Sequence, residues 1–286
     1  MLTTVIGSYP LSYREMGPDA IKQAVSDQLE AGIDIVSDGQ TRFDMIEYFA
    51  RSIDGYAYNG KAVINGKIGR GHSEVFSADL TLARSLAPRV KGIVTGPVTL
   101  VFAARIKSGY QNHHDENVYL DTAQAIGEIA QGMVEAGACS IQIDEPYLSV
   151  GAPLNIAKKA IESIAARIKV PVALHVCGRV IQIIDWLLDL KGVSVLSHGF
   201  KGEDNQSLLH YPALVASSKT LGLGCVDTKQ MRVESTAEIA DLIRLAAQQI
   251  PTEKLIIHPD CGLRSLGNRN VARAKLKNMV LAAKDF

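Results

Sequence analysis

The chain has 286 residues, enough for one barrel of the TIM type, at roughly 250 residues, or for two smaller domains. Lys plus Arg number 30 and Asp plus Glu number 30, so there is no net field to attract nucleic acid or an anionic membrane, and no apolar run approaches the ~20 residues that cross a bilayer. Four cysteines (Cys139, Cys177, Cys225 and Cys261) are too few for a disulfide framework, and the first residues lack the basic-then-apolar pattern of a secretory signal, so reduced thiols in the cytoplasm are expected.

A short apolar run, a polar loop and a longer amphipathic stretch recur along the chain. Val5-Ile6 ends the first run, and residues 17–31 follow with a helical pattern at Ile21, Ala24, Val25 and Leu29. Ile33-Asp34-Ile35-Val36 is the second run. After it, residues 54–71 break the rhythm: Tyr56-Ala57-Tyr58-Asn59-Gly60-Lys61-Ala62-Val63 alternates around Asn-Gly, the signal of a β-hairpin, here a candidate lid or partner surface. The third run is Gly92-Ile93-Val94. The fourth is Cys139-Ser140-Ile141-Gln142-Ile143, preceded by a helical pattern over 118–136. Val172-Ala173-Leu174, Val193-Ser194-Val195-Leu196, the run from Leu221 to Val226, and Leu255-Ile256-Ile257 complete the set. Helical patterns over 156–168, 179–190, 207–218, 235–249 and 269–284 lie between and after them. Such runs suit strands buried on both faces. Their alternation with helices predicts an α/β fold, a (β/α)8 TIM barrel with a β-hairpin inserted after strand two, in preference to an open doubly wound sheet. No linker divides the chain, and 1–286 reads as a single catalytic barrel domain.

Polar residues cluster where these strands end, and in a barrel all such ends meet on one face. His175 and Cys177 lie two apart at the end of strand five, so in extended chain they point to one side. Cys261, after strand eight, offers a second sulfur across the mouth; thiolates with an imidazole suit zinc. The bland alternative is a packed strand end with inert cysteines. Asp144 and Glu145 end strand four and read equally as a receptor for a substrate amine or as a helix cap or salt-bridge partner. Ile6-Gly7-Ser8 offers amide donors to an anion such as a carboxylate, or is simply a turn. Lys229, after strand seven, admits a Schiff-base reading. Cys139 and Cys225 fit core positions, Trp186 fits packing, and His72, His113, His114 and His210 fit surface roles.

Taken in chain order, these motifs resemble the catalytic C-terminal barrel of the cobalamin-independent methionine synthase family, over essentially the whole chain. The landmarks are Ile6-Gly7-Ser8-Tyr9-Pro10, Ser37-Asp38-Gly39-Gln40 with Arg42, Asp44 and Met45, and Gly96-Pro97-Val98-Thr99. They continue with Ile143-Asp144-Glu145-Pro146, His175-Val176-Cys177, Asp227, and Pro259-Asp260-Cys261-Gly262-Leu263. The resemblance implies a zinc-dependent methyltransferase that methylates the thiol of homocysteine in methionine biosynthesis. It implies His175, Cys177 and Cys261 as zinc ligands, Ile6, Gly7, Ser8 and Gln40 around the substrate, and Asp144 on its amino group.

This chain departs from the long enzymes of the family at several points. It resembles their short form, without the N-terminal domain that helps hold methylfolate, and a methylated corrinoid protein is the expected donor. Gln40 stands in place of a glutamate that contacts homocysteine. Lys229 replaces a histidine acid and, with Asp144, is a candidate catalytic side chain. Gly199 stands about where the fourth zinc ligand, a glutamate, is usual. Glu203 folding back from the loop is the expected substitute, with His198 or an open position as alternatives. A zinc methyltransferase for another thiol, and a non-catalytic barrel with a decayed site, are the competing readings.

Overall fold

The structure, a computed structural model, describes residues 1–11 and 17–286. The chain starts with β1 (Leu2–Thr3) and α1 (Pro18–Ala31) and passes through residues 35–36 to α2 (Met45–Ala50). A hairpin of β2 (Tyr56–Tyr58) and β3 (Ala62–Asn65) precedes α3 (Glu74–Leu86). Next come β4 (Gly92–Thr95), α4 (Pro97–Ala103), β5 (Arg105–Ser108), α5 (Glu116–Glu135) and β6 (Ile141–Asp144). After these come α6 (Leu154–Ala165), β7 (Val172–His175), α7 (Ile184–Leu188), β8 (Val195–Gly199) and α8 (Pro212–Ala216). The last elements are β9 (Thr220–Gly224), α9 (Thr236–Ala247), β10 (Leu255–His258) and α10 (Arg269–Ala283).

Seven strands form one parallel sheet in the order β1-β10-β9-β8-β7-β6-β4. Residues 35–36 close it: Thr4 bridges Ile35 and Val36 bridges Val90, both in parallel. The amide of Ile35 reaches Thr3 O at 3.1 Å, and that of Lys91 reaches Val36 O at 3.0 Å. The sheet is therefore a closed barrel, and the open-sheet alternative is excluded. The second stave is too short to make a regular ladder because Asp34, just before it, turns back to bond the amide and hydroxyl of Thr3, both at 2.8 Å.

Strand alternation divides the barrel cleanly. Ile141, Ile143, Val172, Leu174, Leu196, Leu221, Leu223, Leu255 and Ile257 point outward, are fully or almost fully buried, and form the core beneath the helices. Lys91, Gln142, Ala173, Ser197, Gly222 and His258 point inward and line a cavity of about 370 Å³ inside the barrel. The interior is thus unusually polar, and its upper layer leads to the barrel mouth. Helices α1, α5, α6, α9 and α10 lie where the 3.6-residue patterns predicted them.

Three differences from the sequence reading have local causes. The stretches 179–190 and 207–218 form only short α-helices, α7 and α8, each preceded by a 3-10 turn. Pro212 breaks the second, because it lacks the amide that would continue the turn before it. The hairpin is present, but it gains a third strand: β5 runs parallel to β3, making a small separate sheet. That sheet is anchored on α5, where Tyr56 OH lies 3.0 Å from Thr122 Oγ1. Chain and helix come so close that a Cβ on Gly71 would lie 2.0 Å from Ala125 O. No helix among the described residues is long and apolar enough to cross a membrane.

Candidate active site

The C-terminal strand ends converge on a cavity of about 200 Å³, lined by Ile6, Ser8, Gln40, Asp144, His175, Cys177 and Cys261 among others. Gly7 does not line the cavity but backs its wall: a Cβ there would meet Gln40 Oε1 at 2.8 Å. Gln40 itself has φ +46°, a left-handed conformation uncommon outside glycine, held by its amide bond to Asp38 Oδ1 at 3.0 Å and by Arg264 on its carbonyl. The amides of Gly7 and Ser8 donate to no acceptor among the described residues, so two donors remain for a ligand. The position of Ser8 is fixed from outside. Its carbonyl accepts the amides of Leu263 at 2.8 Å and Arg264 at 3.1 Å, and a Cβ on Gly262 would lie 2.1 Å from its hydroxyl.

In the same cavity, His175 Nε2 lies 3.0 Å from Cys177 Sγ, and Cys177 Sγ lies 3.1 Å from Cys261 Sγ. The three donor atoms lie within 4.8 Å of one another. One tetrahedral zinc ion, with bonds of ~2.0–2.3 Å to nitrogen and sulfur, spans such a set. The donor chemistry, one imidazole and two sulfurs gathered at one mouth, fits zinc better than a hard cation. The hydrogen bond from Cys177 and the nearby His175 ring stabilise the Cys261 thiolate and lower its pKa, while the same bond and burial raise Cys177. Burial opposes a charged His175 ring, but the Cys261 sulfur and Asp144 outweigh it, and its pKa is raised.

Asp144 and Glu145 part company, as neighbours at a strand end do. Asp144 faces the cavity, where burial raises its carboxyl to about 6 against the pull of His175 and of Gln142. Gln142 Nε2 donates to it at 2.6 Å and to Ile6 O at 2.8 Å, while Lys91 Nζ donates to Gln142 Oε1 at 2.5 Å. Burial lowers the pKa of that lysine to about 8. Glu145 faces away and accepts from Val98 N, Thr99 N and Thr99 Oγ1 at 2.7–2.9 Å, holding the start of α4. This accounts for the Gly96-Pro97-Val98-Thr99 motif: a Cβ on Gly96 would lie 2.1 Å from the Glu145 carboxyl carbon.

Besides Gly7, two expected site residues stand outside the cavity lining. Lys229 Nζ binds Glu203 Oε1 at 2.6 Å, with the lysine side chain 64% exposed and the glutamate 18%. That bond raises the lysine pKa, the opposite of what a Schiff-base lysine needs. Glu203 is not among the three clustered donors, yet it occupies the space that Gly199 leaves: a Cβ on Gly199 would lie 2.9 Å from Glu203 Cγ. The loop before it is gripped by Asp260, which accepts the amides of Phe200, Lys201 and Gly202 at 2.5–3.1 Å. His198 lies on the outer face of β8, opposite Ser197, with Nδ1 3.2 Å from Val176 O. Strand alternation thus points it away from the cysteines.

Sequence reasoning gave no role to Arg264, Phe43, Lys91 or Gln142, nor to Ser197 and His258, which it placed at strand ends. For Lys91, Gln142 and His258 a signal existed: each is polar beside or within an apolar run. The hairpin approaches the site through one stack, with the Arg51 guanidinium 5.5 Å from the Tyr58 ring and 5.4 Å from the cavity-lining Phe43 ring.

Comparison with known proteins places this geometry among relatives. The family described as cobalamin-independent synthase, catalytic domain, matches residues 7–285. A methionine synthase of Methanothermobacter thermautotrophicus is 39% identical over 99% of both chains, and one of Methanocaldococcus jannaschii is 36% identical over 99% of both. Among solved structures, a B12-independent methionine synthase from Shewanella sp. W3-18-1, in complex with selenomethionine, superposes with a TM-score of 0.86 at 22% identity, covering 99% of this chain and 96% of that one. A methyltransferase from Methanosarcina mazei gives 0.73 at 16% identity, covering 100% and 94%. At these identities the two structures speak for the fold.

Proposed function

Because this chain belongs to the cobalamin-independent methionine synthase family and is a methyltransferase, we propose that it methylates the thiol of homocysteine to give methionine, using zinc and a methylated corrinoid protein. The observation that carries the reading is one cavity that holds the His175–Cys177–Cys261 donor set together with Ser8 and Asp144, with Asp144 paired beside His175 on the neighbouring strand.

The roles follow from the chemistry of each group. The two amides and the Ser8 hydroxyl bind the substrate carboxylate, and Asp144 takes the ammonium. Both ends of the amino acid are then fixed, and the thiol is directed at the cysteines. His175, Cys177 and Cys261 hold zinc, which when bound supplies the Lewis acidity that ionises a thiol of pKa ~8.5. Glu203 is the fourth ligand in this reading. Its place beneath Gly199 supports that role, and it exchanges Lys229 for the ion. The sulfur–methyl bond forms as the donor–methyl bond breaks, and the donor keeps the electron pair.

Support for a corrinoid over methylfolate comes from Lys229. It is bound to Glu203 and stands outside the cavity lining, so it is poorly placed to protonate a leaving amine, and a corrinoid leaving group requires no proton. We read residues 1–286 as one catalytic barrel. The four cysteines are all free, which suits the reduced cytoplasm.

The test is product formation by zinc-loaded protein given homocysteine and either a methylated corrinoid protein or methyltetrahydrofolate. Methionine is expected from the corrinoid donor alone. Methionine from methylfolate would overturn the donor assignment, and methylation of a simple thiol in preference to homocysteine would overturn the substrate.

A further inference from the structure

We propose that Ser197 and His258 are positioning residues for His175, fixing its ring with the proton on Nδ1 so that a bare Nε2 faces Cys177 and Cys261. Three contacts run in line within the barrel. His175 Nδ1 lies 3.2 Å from Ser197 Oγ, Ser197 Oγ lies 2.8 Å from His258 Nε2, and His258 Nδ1 lies 2.7 Å from Pro259 O. The last contact sets the direction of the others. A carbonyl oxygen only accepts, so the His258 proton sits on Nδ1, and Nε2 of the neutral ring is an acceptor. The Ser197 hydroxyl must then donate to His258, and its lone pairs accept from His175 Nδ1–H. This leaves His175 Nε2 without a proton, 3.0 Å from the Cys177 sulfur, as a ligand nitrogen requires.

The surroundings are built to keep this line. All three residues are nearly fully buried: His175 at 1%, Ser197 at 3% and His258 at 1% exposure. They lie on the staves β7, β8 and β10, with β9 between the last two. There the His258 ring crosses Gly222, where a Cβ would lie 2.6 Å from its Nε2. A side chain on β9 would break the line, and glycine at 222 lets it pass.

The value of this arrangement to zinc rests on the proposed zinc site, but the tautomer does not, and the two can be tested apart. Nitrogen-15 spectra of metal-free protein, recorded at a pH high enough to give the neutral ring, report which His175 nitrogen carries the proton. The wild type is expected to show the Nδ1–H form, the reverse of the preference of the free histidine side chain, and Ser197→Ala to lose it. In chelator competition, Ser197→Ala should weaken zinc binding by about 10–100-fold. Ser197→Thr, which keeps the hydroxyl beside a cavity with room for a methyl, should restore it. An Nε2–H tautomer in the wild type overturns the proposal even if the alanine variant does not fold. An unchanged tautomer in a folded Ser197→Ala protein overturns it as well. A wild type that binds no zinc but retains the Nδ1–H form would sink the zinc reading and uphold the orientation.

Discussion

Cys261→Ser should bring the zinc content down from about one ion per chain to near none, and methyl transfer should fall by more than about 10³-fold. The sulfur is one of three donors contributed by two distant parts of the chain, 84 residues apart. Losing it leaves His175, Cys177 and the proposed Glu203, a set with one sulfur fewer that holds zinc far more weakly. The thiol substrate then keeps its ordinary pKa of ~8.5 and is only a few per cent ionised at neutral pH. The fold should survive, since Cys261 sits partly exposed on the loop after β10 rather than in the shell under the helices. Metal analysis and a melting curve, measured side by side, check both statements. Full zinc in the variant would mean that the cross-barrel sulfur is not a ligand.

Asp144→Asn should lower kcat/KM for homocysteine by roughly 10–150-fold, the cost of one charge-assisted hydrogen bond of about 1.5–3 kcal/mol, while the zinc content stays unchanged. Asparagine keeps an oxygen for Gln142 Nε2, now at 2.6 Å, so the barrel interior is not disturbed and the lost charge is what the experiment reads. The informative partner is a substrate lacking the amino group. If Asp144 binds the ammonium, that substrate should be poor with wild type and no poorer with the variant, because each change removes the same interaction. Additive losses would place the role of Asp144 elsewhere, for instance on the neighbouring His175.

Much of this site was legible because a barrel gathers the residues at its strand ends. Ile6 with Ser8, Asp144, His175 with Cys177, and Cys261 are far apart in sequence and share one cavity, and period-2 alternation alone put His175 and Cys177 on one side. The illegible part depends on partners rather than positions. Nothing in the run Asp144-Glu145 says which carboxylate faces inward; the answer lies in the amides of Val98 and Thr99, nearly 50 residues away. Glu203 lies near Gly199 in sequence, but its bond to Lys229 joins loops after different strands. The second stave escaped regular assignment for a similar reason, since its pairing is limited by the turn of Asp34 onto Thr3. Helices α2, α3 and α4 and strand β5 lay outside the patterns read from the sequence. Helices α2 and α4 are six and seven residues long, and β5 is largely exposed with little apolar alternation, so periodicity carries little signal there.

X-ray absorption at the zinc edge, with and without homocysteine, is the most direct test of thiol activation at this site. Two sulfur neighbours should be seen at rest, from Cys177 and Cys261, with nitrogen or oxygen completing the set. A third sulfur at ~2.3 Å should appear when homocysteine is added. A sulfur count that stays at two with saturating homocysteine would contradict the account, because the substrate thiol would then be activated by something other than the ion.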